Sequence, residues 1–146
     1  MDFNVDEEKY LTPGIHEMTW KEFYDTFSFS ERRKELLEGL EKIVVILQEI
    51  GDVRIYIDGS FVTSEKEPGD WDACYEFPLS LMDTLIHRLA KVYPLYNKKE
   101  QKRLYKGELY YAHSAIDMNR DISYLNFFQQ IRNKPELRKG IVELID

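Results

Sequence analysis

Ile55-Tyr56-Ile57-Asp58-Gly59-Ser60 and, nine residues later, Asp70-Trp71-Asp72 are the two stretches on which the reading of this chain turns. The β-branched and aromatic run from Val53 to Asp58 predicts a strand ending at Gly-Ser. Residues 61–69, closing on Pro68-Gly69, connect it to a second predicted strand from Asp70 to Phe77. Strand side chains alternate with period two, so Asp70 and Asp72 share one face, roughly 7 Å apart along the backbone. Two carboxylates so placed repel each other unless a cation or protons intervene. Mg²⁺ prefers oxygen ligands and is commonly held by one or two carboxylates together with substrate phosphates. Gly59 lets backbone approach a phosphate because no Cβ stands in the way. Free N–H groups and the Ser60 hydroxyl after it are suited to phosphate oxygens. The pattern therefore fits a divalent-cation site beside a phosphate-binding turn. Taken singly, each half has a commoner structural reading: Gly-Ser as a plain turn, and Asp-x-Asp as an exposed strand face. Trp71, on the opposite face, would anchor the strand in the core.

On the N-terminal side, residues 1–14 read as an irregular lead-in ending at Pro13-Gly14. Thr19-Trp20-Lys21-Glu22 has the form of a capping box and predicts a short helix burying Trp20, Phe23 and Phe27. Ser28-Phe29-Ser30-Glu31 repeats that form. It predicts a longer helix in which Leu36, Leu37, Leu40, Ile43, Val44, Leu47 and Ile50 recur at helical spacing. Gly51 is its natural stop.

On the C-terminal side, Pro78 opens a predicted helix with Leu81, Met82, Leu85, Ile86, Leu89 and Tyr93 on one face, closed by Pro94. Residues 97–106 are basic and read as a loop. Glu108–Met118 reads as a third strand, Ser123–Ile131 as a short aromatic helix, and the segment from Lys139 as a final strand. Helices first, then strands interleaved with helices, indicate one α/β or α+β domain spanning 1–146.

The chain has 146 residues, enough for a real core, and 43% of them are hydrophobic, which argues against disorder. The net charge of −7 disfavours general nucleic-acid binding, which draws its affinity from basic groups. Cys74 is the single cysteine, so an internal disulfide and a Cys-rich zinc site are excluded. The acidic start lacks a signal-peptide core, and no apolar run approaches the roughly 20 residues of a membrane helix. A cytoplasmic protein without membrane contact is the expectation.

A two-metal arrangement needs a third carboxylate. Asp117, flanked by Ile116 and Met118, is the first choice. Glu76, on the same period-two face as Asp70, Asp72 and Cys74, is the rival, and Glu108 ranks third. Asp58 could cap the turn before Gly59. Competing motifs fail: an EF-hand from Asp70 would need Gly and Glu where Tyr75 and Leu81 stand. Neither a Walker-type nor a dinucleotide glycine loop is present, and His16, His87 and His113 lack metal-ligand spacing. The cationic stretch Lys91–Lys106, with Tyr93, Tyr96 and Tyr105 between its charges, could bind triphosphate or a nucleic-acid acceptor. Its structural reading, a solvated loop, is the commoner one.

Gly59-Ser60, nine residues, Asp-x-Asp and a later acid between apolar residues resemble the signature of the DNA polymerase β-like nucleotidyltransferase superfamily. The wider context resembles a family of small uncharacterised bacterial and phage proteins assigned to that fold. It is carried by Leu11-Thr12-Pro13-Gly14-Ile15-His16, the helix from Arg33 to Leu40, Asp58-Gly59-Ser60-Phe61-Val62-Thr63 and Lys139-Gly140-Ile141-Val142. The resemblance runs from about residue 10 to the end. It implies a nucleotidyltransferase-like fold, a mixed sheet flanked by helices. It also implies transfer of a nucleoside monophosphate from an NTP to a hydroxyl of a protein, RNA or small molecule. By the same resemblance Asp70, Asp72 and Asp117 would be catalytic and hold Mg²⁺ or Mn²⁺, with Glu76 the alternative to Asp117. Gly59 and Ser60 would hold the triphosphate, and Lys66 in the connecting stretch joins them as a candidate nucleotide-binding residue. Trp71 departs from the pattern, which leads one to expect a smaller aliphatic residue. The alternative is a non-catalytic binding or regulatory module of that fold acting with a protein partner, as in a toxin–antitoxin or phage-defence pair. A metal-dependent phosphodiesterase or nuclease using the same carboxylates is a third reading.

Overall fold

The computed structural model describes residues 10–91, 93, 94, 97–113, 115–117, 120–131 and 134–145, with the side chains of 115–117, 120–122 and 134–136 outside that description. Its centre is a five-stranded mixed sheet in the order β1-β9-β2-β3-β4. These strands are β1 (Gly14–Met18), β2 (Arg54–Asp58), β3 (Trp71–Glu76), β4 (Gly107–Tyr111) and β9 (Gly140–Leu144). β1–β9 and β3–β4 run parallel, whereas β2 is antiparallel to both of its neighbours. Two short ribbons stand apart: β5 (Ala115–Asp117) with β6 (Arg120–Ser123), and β7 (Gln130–Ile131) with β8 (Lys134–Arg138). The mixed α/β class expected from the sequence is the one observed.

One face of the sheet carries the main core. Ile55, Ile57, Trp71, Ala73, Leu109, Val142 and Leu144 pack there against helices α1 (Trp20–Phe27), α2 (Glu31–Ile50) and α3 (Met82–Ala90). α1 opens on the expected capping box, Thr19 accepting from the Glu22 N–H and the Glu22 carboxylate receiving the Thr19 N–H. α2 stops at Gly51, whose φ of +80° suits a residue without Cβ. Its N-cap is Ser30 rather than Ser28: Ser30 is extended, and its side chain accepts from the Arg33 N–H. In α3 only part of the expected apolar face is inward, with Leu85 and Leu89 buried and Met82 and Ile86 exposed.

Three segments differ from the sequence reading. Residues 98–105 form helix α4 (Lys98–Tyr105), not a loop. Asn97 caps it by accepting from the Glu100 N–H, Arg103 pairs with Glu100, and Gln101 is buried. Its near-continuous charge hides the helical period. The stretch after the expected lead-in, whose residues 1–9 lie outside the described residues, forms β1, a strand not expected from the sequence; it is a largely exposed edge strand that pairs with β9. The expected strand Glu108–Met118 breaks at Ala112–His113, so that β5 leaves the main sheet, and the aromatic helix shrinks to α5 (Tyr124–Phe127).

Candidate active site

The connector between β2 and β3 is held by the first turn of α2. A 3₁₀ turn, Gly59–Val62, leaves β2. Arg33, fully buried, then donates to the carbonyls of Phe61 (2.7 Å), Thr63 (2.8 Å) and Glu65 (2.9 Å), and its guanidinium lies against the rings of Phe29 and Phe61. Burial lowers its pKa to about 10, so it stays charged at neutral pH. Ser30 donates to the Lys66 carbonyl, and Arg32 to those of Pro68 and Gly69. A segment that reads as a turn-rich loop is thereby tied down from the Gly-Ser turn to the residue before Asp70.

A second device sets the register of β3 against β4. Trp71 is completely buried and donates its indole N–H to the Tyr105 carbonyl at 2.7 Å. Gly107 faces it: a Cβ there would lie 2.1 Å from the indole Cδ2 and 2.3 Å from the Trp71 carbonyl oxygen. Gly39 on α2 gives the same clearance to the Tyr105 carbonyl, which a Cβ would meet at 2.0 Å. The bulk of Trp71, unexpected in the sequence pattern, is thus accommodated by glycine on the neighbouring strand. Trp71 opposite Gly107 puts Asp72 opposite Glu108.

On its other side Asp72 stands opposite Asp58 of β2. Residues directly opposite across strands share a face, so Asp58, Asp72 and Glu108 form a row across three strands, and Asp70 sits just before β3. Asp58 is fully buried. Its Oδ2 lies 3.7 Å from Cys74 Sγ, and among the described residues its Oδ1 has no hydrogen-bond partner. Burial first, then the charge of Asp72, holds the Asp58 carboxyl well above the usual carboxylate range. The Asp72 carboxyl is pushed up to about 7 by burial and by the negative charges of Asp70 and Glu108, against the pull of Lys102 and Lys139. Gly59, with φ +75°, lies over Asp72: a Cβ there would come within 2.9 Å of Oδ2. Ser60 follows, half-buried, its carbonyl accepting from the Thr63 hydroxyl.

Cations face this row from α4. Lys102 Nζ lies 3.3 Å from Asp70 Oδ2 and 3.2 Å from Glu108 Oε1. Lys98 Nζ donates to the Leu109 carbonyl at 2.7 Å and stands 4.1 Å from the centre of the Tyr110 ring. The Tyr110 hydroxyl in turn donates to Glu108, and its ring stacks on Tyr124 at 4.4 Å between centroids. The result is a cluster of acids at the strand ends, beside a fixed glycine turn and with more than one lysine in reach.

A model of a family of unknown function (DUF6932) matches residues 1–145. The chain belongs to that family. No curated protein and no solved structure matches it.

Within this family member the structure gathers Gly59, Ser60, Asp70 and Asp72, as the sequence spacing suggested. The acid it sets beside Asp72 is Glu108, which sequence reasoning ranked last. Its signal was the alternation Gly107-Glu108-Leu109-Tyr110, legible only once Gly107 is known to face Trp71. Asp117 lies in β5 of a separate ribbon, and its side chain falls outside the described residues. Glu76 shares the face of Asp72 but sits at the other end of β3, opposite Arg54 and in contact with His113. Lys66 is exposed, and its carbonyl serves the connector. Among the described residues, no three His, Cys, Asp or Glu side chains are already arranged to hold a metal ion. A groove of about 660 Å³ lies at the Glu76 end, lined by Asp52, Arg54, Glu76, Phe77 and His113. It is remote from the acid row, and its mixed charges do not single out a ligand.

Proposed function

We propose that the chain is a divalent-cation-dependent nucleotidyltransferase of the DNA polymerase β-like kind, which moves a nucleoside monophosphate from an NTP to a hydroxyl acceptor. The observation that carries this reading is the in-register pair Asp72–Glu108, flanked by Asp70 and lying under the Gly59 turn. The donors are all carboxylate oxygens, the chemistry a hard cation takes. Burial first, and then the charges of Asp70 and Glu108, push the Asp72 carboxyl up, and a bound cation would offset the second of these. Asp70, Asp72 and Glu108 would hold Mg²⁺ or Mn²⁺, with Glu108 in the role first given to Asp117. The ion would neutralise developing charge on the attacking and leaving oxygens. The remaining work is positioning: Gly59 admits phosphate oxygens close to the backbone, the Ser60 hydroxyl donates to them, and the connector anchored on Arg33 keeps the turn in place.

The direct test is incubation with labelled NTPs, Mg²⁺ and cell extract. Transfer of label is expected with the wild type and lost in Asp70→Ala/Asp72→Ala and in Glu108→Gln. Labelling undiminished in the double variant overturns this mechanism. A non-catalytic module of the same fold, acting through a protein partner, is the second reading. What favours it is that Lys102, rather than a ready cage of three ligands, balances the acids. It predicts no NTP or Mg²⁺ binding by calorimetry and a co-purifying protein.

A further inference from the structure

Lys98 and Lys102 are one helical turn apart on α4 and face the same acids, yet they are held differently. Lys98 is fixed by the Leu109 carbonyl and the Tyr110 ring. Lys102 has only carboxylate contacts among those described, and it touches both Asp70 and Glu108. Its side chain is 52% exposed while that of Glu108 is 12% exposed, so the ammonium lies on the solvent side and can leave without moving the acid. A lysine head is a compact point charge on a flexible four-carbon stem, able to change partners by rotation alone.

We propose that Lys102 is a built-in counter-ion of this site: it takes the space between Asp70 and Glu108 that a divalent cation requires, yields it when the cation binds, and then pairs with phosphate oxygens of the substrate. This rests on the reading of Asp70, Asp72 and Glu108 as cation ligands. The lysine keeps the acids together when no divalent cation is bound, because their mutual repulsion would otherwise spread them. It also makes cation and nucleotide binding interdependent, since the displaced ammonium gains its new partner only when phosphate arrives.

The experiment uses the full chain as wild type, Lys102→Met and Asp72→Asn, titrated with Mn²⁺ alone by calorimetry or paramagnetic resonance. Inorganic triphosphate is then titrated at saturating Mn²⁺. Lys102→Met is expected to bind Mn²⁺ about three- to tenfold more tightly than wild type, the scale of losing exposed ion-pair competitors. It is expected to bind triphosphate more weakly by a similar factor. These opposite signs separate the proposal from a structural role. If Lys102→Met weakens both ligands or leaves Mn²⁺ binding unchanged, while Asp72→Asn still abolishes Mn²⁺ binding, the lysine exchange is overturned and the carboxylate site stands. If neither wild type nor Lys102→Met binds Mn²⁺, both fall.

Discussion

Strand β3 carries acids at both ends of one face, and the two ends are built on different principles. At the Glu76 end the strand's own acid meets a cation: Glu76 is in register with Arg54 and contacts His113, and Arg54 also offsets the neighbouring Glu143, which stands opposite Glu17. At the Asp72 end, acid stands beside acid across three strands, and burial together with the charges of Asp70 and Glu108 raises Asp72 to about 7 despite the nearby lysines. A charge that is locally balanced is explained by the fold. A row of like charges that the fold takes pains to assemble, through Trp71–Gly107 on one side and the Arg33-anchored connector on the other, is not explained by stability. Asp72 and Glu108, rather than Glu76, are therefore the acids proposed to bind a cation, although all share the sheet face.

The largest effect is expected at Arg33, which serves the Asp72 end only. Arg33→Met removes the guanidinium donor from the carbonyls of Phe27, Phe61, Thr63 and Glu65. We expect a loss of about 3–5 kcal/mol in urea unfolding. A loss below about 1 kcal/mol would mean the connector holds its shape unaided, and the Asp72 end would then be no more elaborately built than the other.

Next comes the chemistry. Asp72→Asn should lower nucleotide transfer by about a hundredfold or more, whereas Glu76→Gln should stay within about threefold of wild type. Equal losses in the two variants, measured as initial rates, would erase the distinction between the ends.

Titration probes the same contrast without substrate. Folded Asp72 keeps its proton to about pH 7, while an unfolded Asp loses it near 4. The folded state therefore binds more protons across this window, and stability is lost as pH rises through it. Asp58 acts in the same direction. Because Asp72 keeps some contact with solvent, we expect its share to be about 1–3 kcal/mol rather than the full value of its shift. The measurement is unfolding free energy from pH 4 to 8, wild type minus Asp72→Asn, without divalent cation. A difference that does not change with pH would show that Asp72 is already compensated.

The smallest effect separates backbone strain from close approach. Gly59→Ala and Gly51→Ala both place a side chain at positive φ, +75° and +80°, but only at Gly59 would the new Cβ meet Asp72 Oδ2. Each should cost about 1 kcal/mol for its conformation, with Gly59→Ala about 1 kcal/mol worse. Melting temperatures that fall equally would mean that Asp72 moves aside freely.

Much of this could be read from local chain chemistry. The capping box at Thr19, the apolar period of α2, its stop at Gly51 and the strands on either side of Gly59-Ser60 all depend on residues close in sequence, whose propensities and spacing point the same way. α4 escaped because its charges hide the helical period, although its cap Asn97 is a local signal, and because Gln101 and Tyr105 tie it to Pro94 and Trp71 outside the helix. β1 escaped because an exposed edge strand needs no apolar alternation, only a partner, and its partner lies at the far end of the chain.

The site divides along the same line. Gly59, Ser60, Asp70 and Asp72 lie within 14 residues of one another: period-two geometry relates the two acids, and the pairing of neighbouring strands β2 and β3 brings the glycine turn to Asp72. Glu108 is 36 residues beyond Asp72, since 108 minus 72 is 36. Its place depends on the register of two parallel strands joined through helices, which no local pattern encodes. That register follows from volume: Trp71 fits only where β4 presents a glycine, and Gly107 is that residue. Sequence could therefore single out two acids and a turn and rank Glu108 only third, and packing between distant segments set Glu108 opposite Asp72 and Lys102 against it.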